Sequence, residues 1–150
     1  MFQSEWVTPP VRGSSRRASS QWSEVIPIER SGWFVEMATA VLRLGKLEPN
    51  WDGSGSPPVS RVAIHQALRM LQAVALQEPP LPQVLPVPGG GVQLEWHVGG
   101  RELELEFLPD GLLVYLVVEP GTSPEEGQSQ LPREDLVRNL VQRLARSTGP

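Results

Sequence analysis

The stretch Gly91-Val92-Gln93-Leu94-Glu95-Trp96-His97-Val98-Gly99-Gly100-Arg101-Glu102-Leu103-Glu104-Leu105-Glu106-Phe107 decides the fold. Val92, Leu94, Trp96 and Val98 alternate with Gln93, Glu95 and His97. Beyond Gly99-Gly100, Leu103, Leu105 and Phe107 alternate with Glu102, Glu104 and Glu106. A period of two puts the apolar set on one face of a strand and the polar set on the other. A glycine pair supplies the positive φ angles of a two-residue hairpin. Centred on that turn, the register opposes Trp96 to Leu103 and Leu94 to Leu105 on the inner face. It opposes His97 to Glu102, Glu95 to Glu104 and Gln93 to Glu106 on the outer face.

Working outward, Gly89-Gly90-Gly91 is a turn that leads back to a short strand at Gln83–Val87, which Pro86 confines to a sheet edge. Asp110-Gly111 turns the chain forward into 112–118. That segment is nearly all apolar and is expected to be covered on both faces or central. Residues 119–130 read as a Gly/Ser/Glu/Pro loop. Three helices flank the meander. The first spans about 32–45, with Trp33, Met37, Val41 and Leu44 as its stripe, widened by Phe34, Ala38 and Leu42, and with Gly45 as C-terminal cap. The second spans about 60–77, capped by Ser60, with Ile64, Leu68, Leu71 and Ala75 facing the core. The third spans about 132–146, starts at Pro132 and buries Leu136, Leu140 and Leu144, flanked by Val137 and Val141.

The predicted fold is therefore α+β: a two-layer domain with an antiparallel β-meander of three to four strands packed against about three helices, in the order α-α-β-β-β-β-α. Residues 31–150 form the single domain. Residues 1–30 read as a flexible tail, because Pro9-Pro10 and the Ser/Arg/Gly run 13–20 offer little apolar surface to offset ordering entropy. Trp6, Trp22, Val25, Ile26 and Ile28 are the parts of that tail suited to docking on the body.

Composition narrows the function. The chain of 150 residues has 39% hydrophobic and 20% charged residues, enough for one core. Sixteen prolines and fourteen glycines require long loops. A net charge of −4 makes non-specific attraction to nucleic acid no default. The absence of cysteine excludes disulfides, thiolate metal sites and cysteine nucleophiles. No apolar run is long enough for a transmembrane helix, and the N-terminus lacks a secretory pattern, so the cytoplasm is the expected compartment and no membrane partner is expected. Walker and dinucleotide glycine motifs and the Gly-x-Ser-x-Gly elbow are absent, so neither a cofactor nor a catalytic set is expected.

Three features remain as candidates. The first is the loop Asn50-Trp51-Asp52-Gly53, where an indole plate stands beside an amide and a carboxylate. It reads either as a partner-binding platform or as an anchor in which Trp51 plugs a seam and Asp52 ties down the loop. The anchor is favoured, and Trp96 is the expected packing neighbour of Trp51. The second is the outer sheet face, where Glu95, Glu102 and Glu104 crowd together. Glu95 and Glu104 repel, so Arg101, a metal ion or a basic partner is expected to compensate. A solvated acidic face is the commoner outcome and also guards a sheet against aggregation. The third is the arginine set Arg12, Arg16 and Arg17, which can touch phosphate.

The span 47–119 resembles an uncharacterised family of small bacterial proteins. The resemblance is carried by Asn50, Trp51, Asp52, Gly53, Gly55 and Pro57 or Pro58, then Gly90, Gly91, Leu94, Glu95 and Trp96, then Asp110 and Gly111. It covers about half the chain and implies no activity. It implies an accessory protein of a toxin–antitoxin, mobile-element or phage-defence locus. The leading expectation is a non-catalytic protein-interaction protein whose partner is another protein. The alternatives are a metal-assisted hydrolase using Asp52, Glu95 or the neighbouring glutamates, and a nucleic-acid-binding accessory protein using the arginine tail and the last helix.

Overall fold

The computed structural model describes residues 32–130 and 133–146. Two helices come first, α1 (Gly32–Leu44) and α2 (Arg61–Val74), the latter extended by a 3₁₀ turn at Ala75–Gln77. Five strands follow: β1 (Gln83–Val87), β2 (Gly91–Val98), β3 (Arg101–Phe107), β4 (Leu113–Val118) and β5 (Glu125–Ser129). The last helix is α3 (Glu134–Leu144). The strands pair in sequence order, all antiparallel. The α+β class and the helix–meander–helix order agree with the sequence. The expected tail and Pro132 lie outside the described residues.

The β2–β3 register follows from the glycine pair. Gly99 and Gly100 both adopt positive φ, 55° and 79°, and Trp96 opposes Leu103 while Glu95 opposes Glu104. The inner face carries Val92, Leu94, Trp96, Leu103, Leu105, Phe107, Leu113 and Val117, all buried. Against it the helices lay Met37 and Val41 of α1, Ala63, Ala67, Met70, Leu71 and Val74 of α2, and Val137, Leu140, Val141 and Leu144 of α3. Each large apolar side chain so buried contributes roughly 1.5–3 kcal/mol. Trp96 also donates its indole N–H to the Pro80 carbonyl at 2.8 Å, so its polar atom is satisfied inside the core.

Two helical faces differ from expectation. α2 turns its small residues, Ala63 and Ala67, to the sheet, which lets the helix backbone approach the bulky Trp96–Phe107 layer. Ile64 and Leu68 are consequently only half-buried. On α1, Leu42 is 54% exposed and widens no core stripe. Gly45 is not a left-handed cap; its missing side chain allows close approach, since an added Cβ would stand 3.1 Å from Ile64 Cδ1. Ser60 caps α2 as expected, its hydroxyl accepting from Val62 N.

The loop expected at 119–130 contains a fifth strand, so the meander has five strands and not three to four. The inner face of β5 is polar. Gly127 opposes Tyr115, whose ring lies over it: a Cβ on Gly127 would fall 2.2 Å from the Tyr115 ring. Glu125 pairs with Arg143 of α3 at 2.9 Å. Arg143 also holds Glu119, at 3.0 Å through Nε, and the pairing depresses the Glu119 carboxyl and raises the guanidinium. β4 is thus an interior strand, but among the described residues nothing covers its outer face.

Gly127→Ala is expected to lower stability by about 1–3 kcal/mol, the usual cost of overpacking, in urea unfolding. The loss should shrink strongly in a Tyr115→Ala background. An unchanged loss there would show that the ring is not the obstacle.

Candidate functional site

The loop after α1 is a closed hydrogen-bond system. Asn50 takes a left-handed conformation, φ 64°, which its side chain stabilises by accepting from Gly55 N at 2.6 Å. Its backbone N donates to Ser56 O at 2.7 Å. Asp52 Oδ1 accepts from Ser54 N at 2.9 Å and Ser56 N at 3.1 Å, and Asp52 Oδ2 accepts from the Ser56 hydroxyl at 2.5 Å. These bonds, the Ser56 hydroxyl first, hold the Asp52 carboxyl below its ordinary range. Gly53 and Gly55 supply the two remaining positive φ angles, 74° and 87°.

Trp51 is half-buried and donates its indole N–H to Pro57 O at 3.1 Å. It therefore fixes the Pro57-Pro58 segment. The expected Trp51–Trp96 pairing is not how either indole is held. Trp96 bonds Pro80, whereas Pro57 and Pro58 sit against the Gly89–Gly91 turn at the opposite end of β2. There Ser60 N donates to Gly90 O at 2.8 Å, Gly90 is at φ 103°, and an added Cβ would meet Pro58 O at 3.2 Å. The Ser60 hydroxyl reaches Pro109 O, and Gly111 lies against Val62. The Asn-Trp-Asp-Gly loop, the glycine turn and the Asp-Gly turn, far apart in sequence, thus meet around Ser60 at one end of the sheet.

The outer sheet face holds the acidic residues. Glu95, Glu102 and Glu104 share it with Gln93 and Glu106, as the register requires. Beside them runs an apolar row from β4, where Val114, Leu116 and Val118 oppose Glu106, Glu104 and Glu102. All three apolar residues are half-buried. A shallow groove of about 240 Å³ is lined by Glu104, Glu106, Val114, Tyr115, Leu116 and Glu126. Desolvation, and then repulsion from Glu95 and Glu102, raises the Glu104 carboxyl above its ordinary range.

Within the face the nearest nitrogen-bearing side chain to these carboxylates is His97, 3.3 Å from Glu102 and 3.8 Å from Glu95. Arg101 is not the compensator. As an odd-numbered residue of β3 it belongs to the inner face, where its Nε lies 3.8 Å from Glu119. No group of three or more His, Asp or Glu side chains among the described residues is arranged to hold a metal ion. Arg12, Arg16 and Arg17 lie outside the described residues. On the last helix, Arg143 is held by Glu119 and Glu125, and Arg138 lies 3.9 Å from Glu134. Among the described residues no helix is long and apolar enough to cross a membrane.

Comparison with protein-family models, curated proteins and solved structures finds no match to this chain.

Trp51→Phe removes the indole donor and keeps most of the plate. It is expected to cost about 0.5–1.5 kcal/mol in urea unfolding, the net worth of one hydrogen bond. The two perturbed carboxyls act in opposite senses. Asp52, depressed in the folded state, stabilises above the ordinary carboxylate range, and this is lost as pH falls through its folded value. Glu104, raised in the folded state, destabilises at neutral pH and is relieved by protonation. Glu104→Gln should therefore raise the unfolding midpoint at pH 7, with the gain vanishing as pH falls through the carboxylate range, whereas Asp52→Asn should lower it with the same disappearance. Thermal melts across pH 3–7, the range spanned by ordinary carboxylate titration, read both.

Proposed function

We propose that this chain is a protein-interaction module that binds a basic, partly apolar segment of another protein across the outer face of its sheet. The observation that carries this reading is the adjacency of two rows on one face that no described helix covers: Glu102, Glu104 and Glu106 on β3 beside Val118, Leu116 and Val114 on β4. An apolar row left beside crowded carboxylates is a poor design for a purely solvated surface. A partner with alternating Lys or Arg and apolar side chains would cover the row, and its charge would offset the repulsion from Glu95 and Glu102 that adds to desolvation in raising Glu104. The hydrogen bonds of the Asn-Trp-Asp-Gly loop favour an anchoring role for Asn50, Trp51, Asp52 and Gly53. In this reading they support the surface without being its contact residues.

An accessory role in a bacterial toxin–antitoxin, mobile-element or phage-defence locus rests on the motif resemblance alone. The metal-hydrolase and nucleic-acid readings gain no supporting geometry among the described residues.

The test is recovery of a partner from the native host with wild-type protein, Glu104→Lys and Leu116→Ser, each checked for fold by circular dichroism. The reading requires a basic partner whose binding weakens with salt and drops about tenfold or more in both variants. A partner held equally by all three proteins would refute it.

A further inference from the structure

The helical side of the molecule carries a second surface of opposite character. A groove of about 550 Å³ runs between α1 and α2. Its apolar lining is Leu42, Val59, Ile64 and Leu68. It is the apolar pattern of these helices, read as core, that fails to be buried: Leu42 is 54% exposed, and Ile64 and Leu68 are left at the margin because Ala63 and Ala67 take the sheet. Gly45 keeps the floor open by lacking a side chain. The wall formed by Pro58 and Val59 is held by the Trp51 bond to Pro57 and the Ser60 bond to Gly90.

Charge distinguishes this groove from a mere gap in packing. Its charged or titratable lining is Lys46, Arg61 and His65, with no carboxylate among the lining residues, in a chain whose net charge is −4. Lys46 and Arg61 make no ion pair with any described residue. Among the other described arginines, Arg69, Arg101, Arg133, Arg138 and Arg143 each lie within 4.0 Å of a carboxylate, while Arg43 and Arg146, which do not, lie outside the groove lining. Two cations without an ion-pair partner among the described residues therefore stand beside an apolar floor.

We infer that this groove receives an amphipathic helix of a partner protein, with apolar side chains on Leu42, Ile64 and Leu68 and flanking Asp or Glu side chains on Lys46 and Arg61. A helix fits because Ile64 and Leu68 are one turn apart on α2 and form a ridge that the i, i+4 rows of a second helix can straddle. Helix-in-groove recognition of this kind uses apolar anchors for affinity and rim charges for register and partner choice. The inference is independent of the sheet-face proposal: the surfaces lie on opposite sides of the two-layer domain and call for partners of opposite charge.

The test uses displayed random peptides of about 16 residues, long enough to form a helix once docked, selected on the full chain. Enriched peptides are then synthesised and titrated by fluorescence anisotropy. Enrichment should favour Leu, Ile or Phe at helical spacing with an excess of Asp and Glu. Affinity should fall about tenfold or more on Arg61→Glu or Lys46→Glu, fall with added salt and stay unchanged on Glu104→Lys. Leu42→Gln, a polar change at an exposed site, should weaken binding without loss of fold. The inference is overturned if no acidic, apolar peptide is enriched, or if such peptides bind Arg61→Glu and Lys46→Glu as well as wild type. It is also overturned if palmitate, and no peptide, binds in a way those variants abolish. The same holds if those variants instead abolish self-association of the chain, measured by sedimentation, while no peptide binds.

Discussion

The close approach of α2 to the β2–β3 hairpin sets the rest of the structure. Trp96 and Phe107 fill the inner face of the hairpin, both 1% exposed. A helix can lie against side chains of that size only if it offers small ones, and α2 offers Ala63 and Ala67, both fully buried. That choice fixes the rotation of α2 about its axis. Met70, Leu71 and Val74 then complete the core, while Ile64 and Leu68 turn toward α1. The N-terminus of α2 is brought beside the Gly90 turn, where Ser60 N meets Gly90 O at 2.8 Å. Gly90 must therefore be bare of a side chain, because Pro57 and Pro58 pass over it.

Much of this was legible because the strands obey a strict period of two. The hairpin residues alternate without a break, and the glycine pair leaves one register, so the face shared by Glu95, Glu102 and Glu104 could be read directly. The helices were less legible. Apolar residues are abundant enough on α2 to support two neighbouring stripes, Ile64-Leu68-Leu71-Ala75 and Ala63-Ala67-Met70-Val74. Hydrophobicity favours the first. Packing takes the second stripe together with Leu71 and Ala75, and leaves only Ile64 and Leu68 half-buried, because the volume of Trp96 and Phe107 is a property of the other layer and leaves no mark in the helix itself. Arg101 shows the converse. Its place on the inner face followed from its odd number, and the expectation that it relieved the outer carboxylates conflicted with the period already in hand.

β5 was hidden for a different reason. A strand shows in sequence through apolar alternation or β-branched content, and Glu125-Glu126-Gly127-Gln128-Ser129 has neither. It is held by an aromatic ring lying over a glycine and by an ion pair to a helix. Tyr115 covers the inner face where Gly127 has no side chain, and Arg143 reaches Glu125 from α3. Both devices depend on residues distant in the chain. An edge strand built this way, carrying two adjacent glutamates, also resists pairing with other sheets.

The motif loop takes its meaning from the same geometry. Its polar side chains turn inward: both Asp52 oxygens and the Asn50 side-chain oxygen accept hydrogen bonds from the loop's own residues. What that closure positions is the Pro57-Pro58-Val59 run, whose Val59 is buried in the core. One side of this run lies on the Gly90 turn, and the other forms a wall of the α1–α2 groove. Asn50, Trp51, Asp52 and Gly53 therefore hold the wall and the turn together, because a loosened loop would displace both.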